Sequence, residues 1–419
     1  MEIRTQYIWL GLILIFLNSC GNKSTYTFIR STEALDSLAV REKIESTRIY
    51  SPCDDPLSYV PDSNQWYLHP QREIRLIFHV MNNQKGDKNF PPETARKFIK
   101  NLVFGANDHL TNNVKMNLPA DNKTPVLKPG YTFSLATVPD DKDGDHVLHH
   151  YDNELYYFIN KGKNRNNYDQ SVIRKYRVGG DSILNVFMMP HHPDSVASST
   201  YKVTNAGIAL GSSLKIAGIY ETKGEAWQFQ SLLNHEIGHI LGLRHAWERY
   251  DGCEDTPVHA NCFGKTENPP CNGLISNNMM DYNNSQRALT PCQIGIARRN
   301  MAREYAMQRK LLVKNWCALD TSYIIEIDGP AEWNASTDLS HSIAINPGGV
   351  LSINCRISFP ANAEIRIQPG GTLILDNAKL HNDCGEKWQG IVIVEKGDKK
   401  GKVIQRREVL IEDVEKGYD

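Results

Sequence analysis

The chain has 419 residues, 40% of them hydrophobic and 23% charged, with 47 basic and 48 acidic side chains and a formal net charge of -1. That length exceeds one typical core, so at least two folded units are expected. The balanced charge leaves no global field to gather nucleic acid or an anionic membrane surface, so function must be read from local motifs.

Arg4 precedes an apolar run from Tyr7 to Leu17. A short apolar core behind a positive charge reads as a secretory signal, too short for a membrane span. The following Leu17-Asn18-Ser19-Cys20 resembles a bacterial lipoprotein processing site. That resemblance implies removal of residues 1–19 and a lipid on Cys20, placing the exported chain on a membrane of the cell envelope, the outer one favoured over the inner. Of the nine cysteines, Cys53, Cys253, Cys262, Cys271, Cys292, Cys317, Cys355 and Cys384 then remain. An even set in an exported chain is compatible with disulfides. Cys253 to Cys292 crowd one region, which reads as a loop stapled by bridges of undetermined connectivity.

Residues 20–70 are polar and read as a lipidated linker or pro-segment rather than a core. Ile74 to Val80 reads as a strand, and Pro91-Pro92 lead into a helix with Ala95, Phe98, Ile99, Leu102 and Val103 at helical spacing. Tyr131 to Val138 reads as another strand. Ile183 to Met189 is a continuous apolar run suited to a strand buried on both faces. Ala206 to Tyr220, rich in Gly, Ile and Ala, reads as an edge strand or a pair of strands. A helix is expected from about Glu225 to Leu241, with Gly242 at its left-handed cap. Thr290, Pro291 and Gln293 form the capping box of a further helix running to about Trp316. Strands followed by long helices make residues 71–317 an α+β or α/β unit.

Residues 318–419 change character. Ile343-Ala344-Ile345-Asn346-Pro347-Gly348-Gly349 is echoed by Ile365-Arg366-Ile367-Gln368-Pro369-Gly370-Gly371, with the prolines 22 residues apart. That period falls in the range of stacked coils, so a small all-β, β-solenoid-like tail is expected, with a β-sandwich as the competing fold. A third coil is expected through Trp388 to Val394. No polar cap follows it, which points to a partner or a continuation covering that end.

The segment that carries chemistry is His235-Glu236-Ile237-Gly238-His239-Ile240-Leu241-Gly242-Leu243-Arg244-His245. Histidines four apart lie on one helical face, so both imidazoles reach one metal ion. Gly242 lets the chain turn sharply so that His245 returns as third ligand. Three protein ligands leave a fourth position open, as a catalytic zinc site requires. Glu236 lies beside the metal and is suited to take a proton from zinc-bound water.

This string is the metzincin signature, and Asn278-Met279-Met280-Asp281-Tyr282 looks like the Met-turn that accompanies it. The turn most resembles the pappalysin (peptidase M43) branch. Cys253-Glu254-Asp255-Thr256-Pro257 and Thr290-Pro291-Cys292-Gln293 are similar to that branch too. The resemblance covers roughly residues 74–316. It implies Met280 beneath the zinc site, with Met279 the competing choice, and Tyr282 near the metal, where it can donate to a developing oxyanion. It also implies a metzincin-like fold: a twisted mixed sheet, an active-site helix beneath it and a C-terminal helical subdomain. Ala206–Tyr220 would supply the edge strand on which a polypeptide substrate pairs. The activity implied is that of a zinc endopeptidase acting on exported or extracellular polypeptides. The competing function is a surface binding or adhesion protein whose tail does the work on a non-proteolytic zinc scaffold. The intact Glu236 separates the two in favour of the enzyme.

Weaker signals remain. Asp140 to Asp145 resembles a calcium loop but lacks the full EF-hand spacing, so a solvated acidic turn is the plainer reading. The family resemblance implies a structural Ca2+ near Asp251–Thr256. Some metzincins are held latent by a pro-segment cysteine or aspartate. Cys53 or Asp54 would be that latch here, against an ordinary disulfide for Cys53. His149-His150 and His191-His192 point to opposite faces of extended chain and read as loop or surface residues.

Overall fold

The structure is a computed structural model of the chain, and it describes residues 24–42, 51–86, 89–137, 147–202, 204–222, 224–282 and 285–416. Cys20, the signal segment expected before it and the acidic run Asp140–Asp145 lie outside the described residues. Among the described residues no helix is long and apolar enough to cross a membrane.

A mixed sheet dominates the middle of the chain. Its strands run in the order Tyr131–Leu135, Arg72–Asn82, Leu184–Met189, Ser213–Ala217 and Ala206–Leu210, with Val147–Tyr151 also paired to Arg72–Asn82. Every pairing is parallel except the last, where Ala206–Leu210 turns back antiparallel on Ser213–Ala217 and becomes the edge. The apolar run Leu184–Met189 is buried at every position because the sheet is covered on both faces. Leu76, Phe78 and Val80 face a core shared with two helices, while Met81, Phe187 and Met189 face a smaller cluster with Phe158 and Ile173.

Those two helices are Pro92–Thr111 and Gln230–Ile240, the latter carrying His235 and His239. The first buries Ala95, Phe98, Ile99, Leu102, Val103, Ala106 and Leu110, the stripe expected at helical spacing. A third helix, Pro291–Ala302, opens with the Thr290–Gln293 capping box. It stops well short of the expected Trp316. Arg303 is extended, and only a short turn, Met307–Lys310, follows. The continuation is diverted because Arg309 reaches across to Asp338 of the tail while Trp316 packs into the core of the mixed sheet rather than along a helix face.

The tail forms three parallel ladders. Ile324–Ile327, Ser342–Ile345, Glu364–Ile367 and Gly390–Lys396 build the first, with Ile343 opposite Ile365 and Ile365 opposite Ile391. Pro330–Trp333, Val350–Ile353, Thr372–Leu375 and Lys402–Gln405 build the second. Thr337–Asp338, Arg356–Ser358, Ala378–His381 and Val409–Ile411 build the third. Ile343, Ile345, Leu351, Ile353, Ile365, Ile367, Leu373 and Leu375 point inward into one core.

The N-terminal segment departs from the spacer reading. Ser24–Ile29 pairs antiparallel with Gly390–Lys396, and Val40–Arg41 pairs parallel with Lys402–Gln405. Between them the helix Thr32–Leu38 buries Leu35 in the tail's core. This segment therefore covers the end of the tail that seemed to lack a cap. The partners are far apart in sequence, so no local pattern announces them. Farther on, Cys53 bonds Cys355 and Asp54 pairs with Arg303. A cysteine or aspartate latch on the metal site is thereby overturned, since both side chains are committed elsewhere. The other bridges are Cys253–Cys292, Cys262–Cys271 and Cys317–Cys384.

Candidate active site

His235 and His239 sit one turn apart on the helix Gln230–Ile240, with their Nε2 atoms 3.1 Å apart. Two nitrogens bound tetrahedrally to one zinc ion at about 2.1 Å stand roughly 3.4 Å apart, so the pair is close to ligand spacing. The chain leaves the helix at Gly242, whose φ of +95° suits glycine. A Cβ there would also lie 2.2 Å from Asn300 Nδ2, which donates to the Leu241 carbonyl. The turn returns His245, and one ring nitrogen from each histidine lies within 4.8 Å of the others.

Each ring is oriented from behind. His235 Nδ1 bonds the Met279 carbonyl at 2.8 Å, His239 Nδ1 the Leu243 carbonyl at 2.9 Å, and His245 Nδ1 the Glu248 carboxylate at 3.0 Å. Such partners put the proton on Nδ1 and turn Nε2 inward, free for a metal. Burial, and then the neighbouring His239, lower His235 to about 3, and burial lowers His239 too. Neutral imidazoles with converging Nε2 atoms are the state a divalent cation needs, so the residues present fit one zinc ion.

Glu236 is 5% exposed and points to the edge strand, where the Ala209 amide donates to it. Burial pushes its carboxyl up to about 8. A cation beside it would draw it back toward the carboxylate. The strand has a glycine where the carboxylate approaches: a Cβ on Gly207 would lie 2.6 Å from Glu236 Oε1. Tyr282, 56% exposed, places its hydroxyl 3.1 Å from His245 Nε2.

The two methionines take different parts. The Met279 backbone holds His235, whereas the Met280 side chain is fully buried under the helix. A Cβ on Gly238 would come 2.6 Å from Met280 Sδ, so the small residue lets the turn close beneath the histidines. Asn278 secures that turn. Its Oδ1 accepts from the Met280 amide at 2.8 Å, and its amide group exchanges bonds with Gln293 at 2.8 and 3.1 Å. Asn278, Gln293 and Glu248 were not singled out for these roles. The last had a signal, a carboxylate one turn beyond the third histidine.

Other expectations fall outside the site. The Asp251 carboxylate accepts from Thr256 Oγ1 and, at 3.0 Å, from the Cys253 amide. His191 is no surface residue: it is 2% exposed, with Nδ1 2.8 Å from the Tyr201 hydroxyl and Nε2 3.0 Å from the Thr204 carbonyl. His150 Nε2 meets the buried His79 Nδ1 at 2.9 Å across adjacent strands. A strand position turned toward a neighbour's polar side chain buries a histidine that alternation alone assigns to solvent.

Residues 167–302 match the family model for peptidase M43, pregnancy-associated plasma protein-A. No curated protein matches the chain. Among solved structures, mirolysin in complex with a compound is similar at 16% identity over 58% of this chain and 96% of that one, with a TM-score of 0.39. Mature mirolysin from Tannerella forsythia with a cleaved peptide is similar at 16% identity, over 60% of this chain and 96% of that one, with a TM-score of 0.37.

Proposed function

We propose, from the pappalysin-like, metzincin character of residues 167–302, that this metallopeptidase is a zinc endopeptidase hydrolysing exported or extracellular polypeptides. The observation that carries the reading is the convergence of His235, His239 and His245 with the buried Glu236 between them and the edge strand. The three histidines would hold one zinc ion, which supplies Lewis acidity toward the scissile carbonyl when bound. The substrate backbone pairs with Ala206–Leu210, whose outer edge no other strand covers among the described residues. Glu236 accepts the proton of the attacking water and passes it to the leaving amine. The Tyr282 hydroxyl donates a hydrogen bond to the oxygen as it gains charge. Met280 supports the histidines from below and touches no substrate.

In this reading residues 71–317 are the catalytic unit. The three stacked ladders of 318–419 are a β-solenoid, completed by residues 24–41. Cys20 carries a lipid that holds the exported protein on a bacterial envelope membrane. A structural Ca2+ near Asp251–Thr256 belongs to the same reading, and calcium removal that leaves thermal stability unchanged would remove it.

The decisive experiment compares the parent chain with Glu236→Ala on a mixed peptide library, with zinc measured in both. Cleavage by the parent alone, with zinc in each, supports the endopeptidase. Zinc in both and cleavage by neither would replace it with a binding role for the tail.

A further inference from the structure

Beside the histidines lies an aromatic surface of which the chemistry above uses only the Tyr282 hydroxyl, leaving the rings without a role. Trp247 stacks flat on His245, with ring centres 4.0 Å apart and planes at 11°. Tyr282 lies 4.5 Å from Trp247, and Phe263 lies 5.1 Å from Trp247 and 6.0 Å from Tyr282. The three rings come from three separate stretches: the chain beyond the third histidine, the loop closed by Cys262–Cys271, and the Met-turn. None is a core residue. Tyr282 is exposed, and Trp247 and Phe263 are only half-buried. Large rings gathered at a surface and left partly wet are characteristic of a place where an apolar group is bound.

The surface is also held rigid. The Cys262 carbonyl accepts from the Ser276 amide at 2.8 Å. His259 Nε2 lies 3.1 Å from Asp281 Oδ2, and the Ser276 hydroxyl bonds the same carboxylate. Asp281 thus ties the stretches on either side of the disulfide loop to the Met-turn, which limits how far Phe263 and Tyr282 drift apart. A wall fixed in advance selects a side chain at low ordering cost.

An extended substrate on the edge strand presents alternate side chains to opposite sides. In the endopeptidase reading, with the scissile carbonyl at the histidines, a side chain next to that bond that points to the histidine side of the strand meets the flank where His245 and Trp247 stack. We propose that Trp247, Phe263 and Tyr282 form an apolar subsite selecting polypeptides with an aromatic or large aliphatic side chain flanking the scissile bond. This rests on the endopeptidase reading.

The test uses the zinc-loaded full chain and its Phe263→Ala and Phe263→Leu variants. Phe263 touches no metal-binding histidine in any ring contact, and zinc content is measured throughout. Library cleavage sites should be enriched in Phe, Tyr, Trp, Leu or Met at one flanking position. For matched peptides with Leu or Ala there, kcat/KM should favour Leu by about 10- to 100-fold, the range one hydrophobic pocket gives. Phe263→Ala should reduce that ratio to about threefold or less with zinc retained, and Phe263→Leu should restore most of it. Cleavage without apolar preference, or a preference unchanged in zinc-loaded Phe263→Ala, overturns the subsite alone. No cleavage by any of the chains, with zinc in all, overturns the endopeptidase reading and the subsite with it.

Discussion

Asp338 offers the sharpest test of how the two units are joined. It stands on the tail's third ladder with a side chain that is 0% exposed. Arg309 Nη1 and Nη2 reach its two oxygens at 2.7 Å each, Arg72 Nη2 reaches it at 3.0 Å and Arg356 Nη1 at 2.9 Å. Arg72 opens the central strand of the mixed sheet and Arg309 follows the helix Pro291–Ala302, so one carboxylate binds the sheet-bearing unit to the tail. Asp338→Asn keeps the shape and removes the charge. Three buried guanidinium groups are then left with Asp383 as the one other carboxylate bonded to Arg309, at 2.8 Å. Breaking a buried ion network from one side costs about 3–5 kcal/mol. At 1.4 kcal/mol per factor of ten, that is a rise of roughly 100- to 1000-fold or more in opening of the junction. Native-state hydrogen exchange of the Arg356–Ser358 and Thr337–Asp338 amides, under non-reducing conditions, measures it directly. The exposed pair Arg41–Asp36 is the control, since Asp36→Asn should change stability by less than about 1 kcal/mol. Burial works to raise the Asp338 carboxyl, but Arg356, Arg309 and Arg72 outweigh it and hold it far below the usual range. A depressed carboxylate contributes stability above its unfolded value of about 3.9, and that contribution fades as pH falls below it toward the folded value. The gap between parent and variant should therefore be full at pH 7 and shrink below about pH 4. Less than a tenfold change in exchange at neutral pH would refute this account of the junction.

Three further outcomes follow from single contacts. Gly207→Ala sets a Cβ 2.5–2.7 Å from the Glu236 side chain, so kcat/KM should drop by about tenfold or more while zinc content and Tm hold. His79 is lowered to about 3, chiefly by burial, with the Asn185 bond opposing and His150 adding to it. The unfolded chain then binds more protons between about pH 3 and 6.5, so acidification from 6.5 to 4.5 should cost about 2–3 kcal/mol, and His79→Gln should flatten that slope in urea titrations. Leu35→Ala removes a fully buried side chain from the tail's end and should cost about 2–5 kcal/mol in denaturant, with the loss read as faster exchange in Gly390–Lys396.

What the sequence disclosed and what it hid divide along physical lines. The convergence of the three histidines was legible because helical periodicity places His235 and His239 on one face, and Gly242 marks the exit. The expected strands and the stripe of Pro92–Thr111 were legible for the same reason: each is a local pattern with one period. The tail's parallel strands were announced by the alternating apolar residues around its repeated Pro-Gly-Gly turns. The helix end at Ala302 was missed because what stops it, Arg309 bonding to Asp338, is tertiary. Trp247 and Phe263 were missed because three segments had to converge before a wall existed.

Residues 24–42 and 51–70 depart from the spacer reading given to 20–70, and the reason bears on regulation. The segment's composition is polar, as a removable pro-segment's would be. Yet Ile29, Leu35, Tyr59 and Leu68 are buried, and the described parts of the segment are bonded to the tail or to the helix Pro291–Ala302. Ser24–Ile29 completes a sheet of the tail, and Cys53 is bonded to Cys355. The Tyr59 hydroxyl donates to the Cys53 carbonyl and accepts from the Ser336 amide. The close approach of the Pro56 carbonyl to Gly295, where a Cβ would lie 2.2 Å from the oxygen, seats the segment on the helix Pro291–Ala302. Cutting it away would expose a hydrophobic end and leave Cys355 without its partner, whereas neither Cys53 nor Asp54 would be released from a metal. Activity should therefore be present in chains whose N-terminus still includes Ser24, as intact mass and N-terminal sequencing of the active species would report. An active species beginning near residue 71, from a chain inactive before trimming, would refute that and restore the pro-segment.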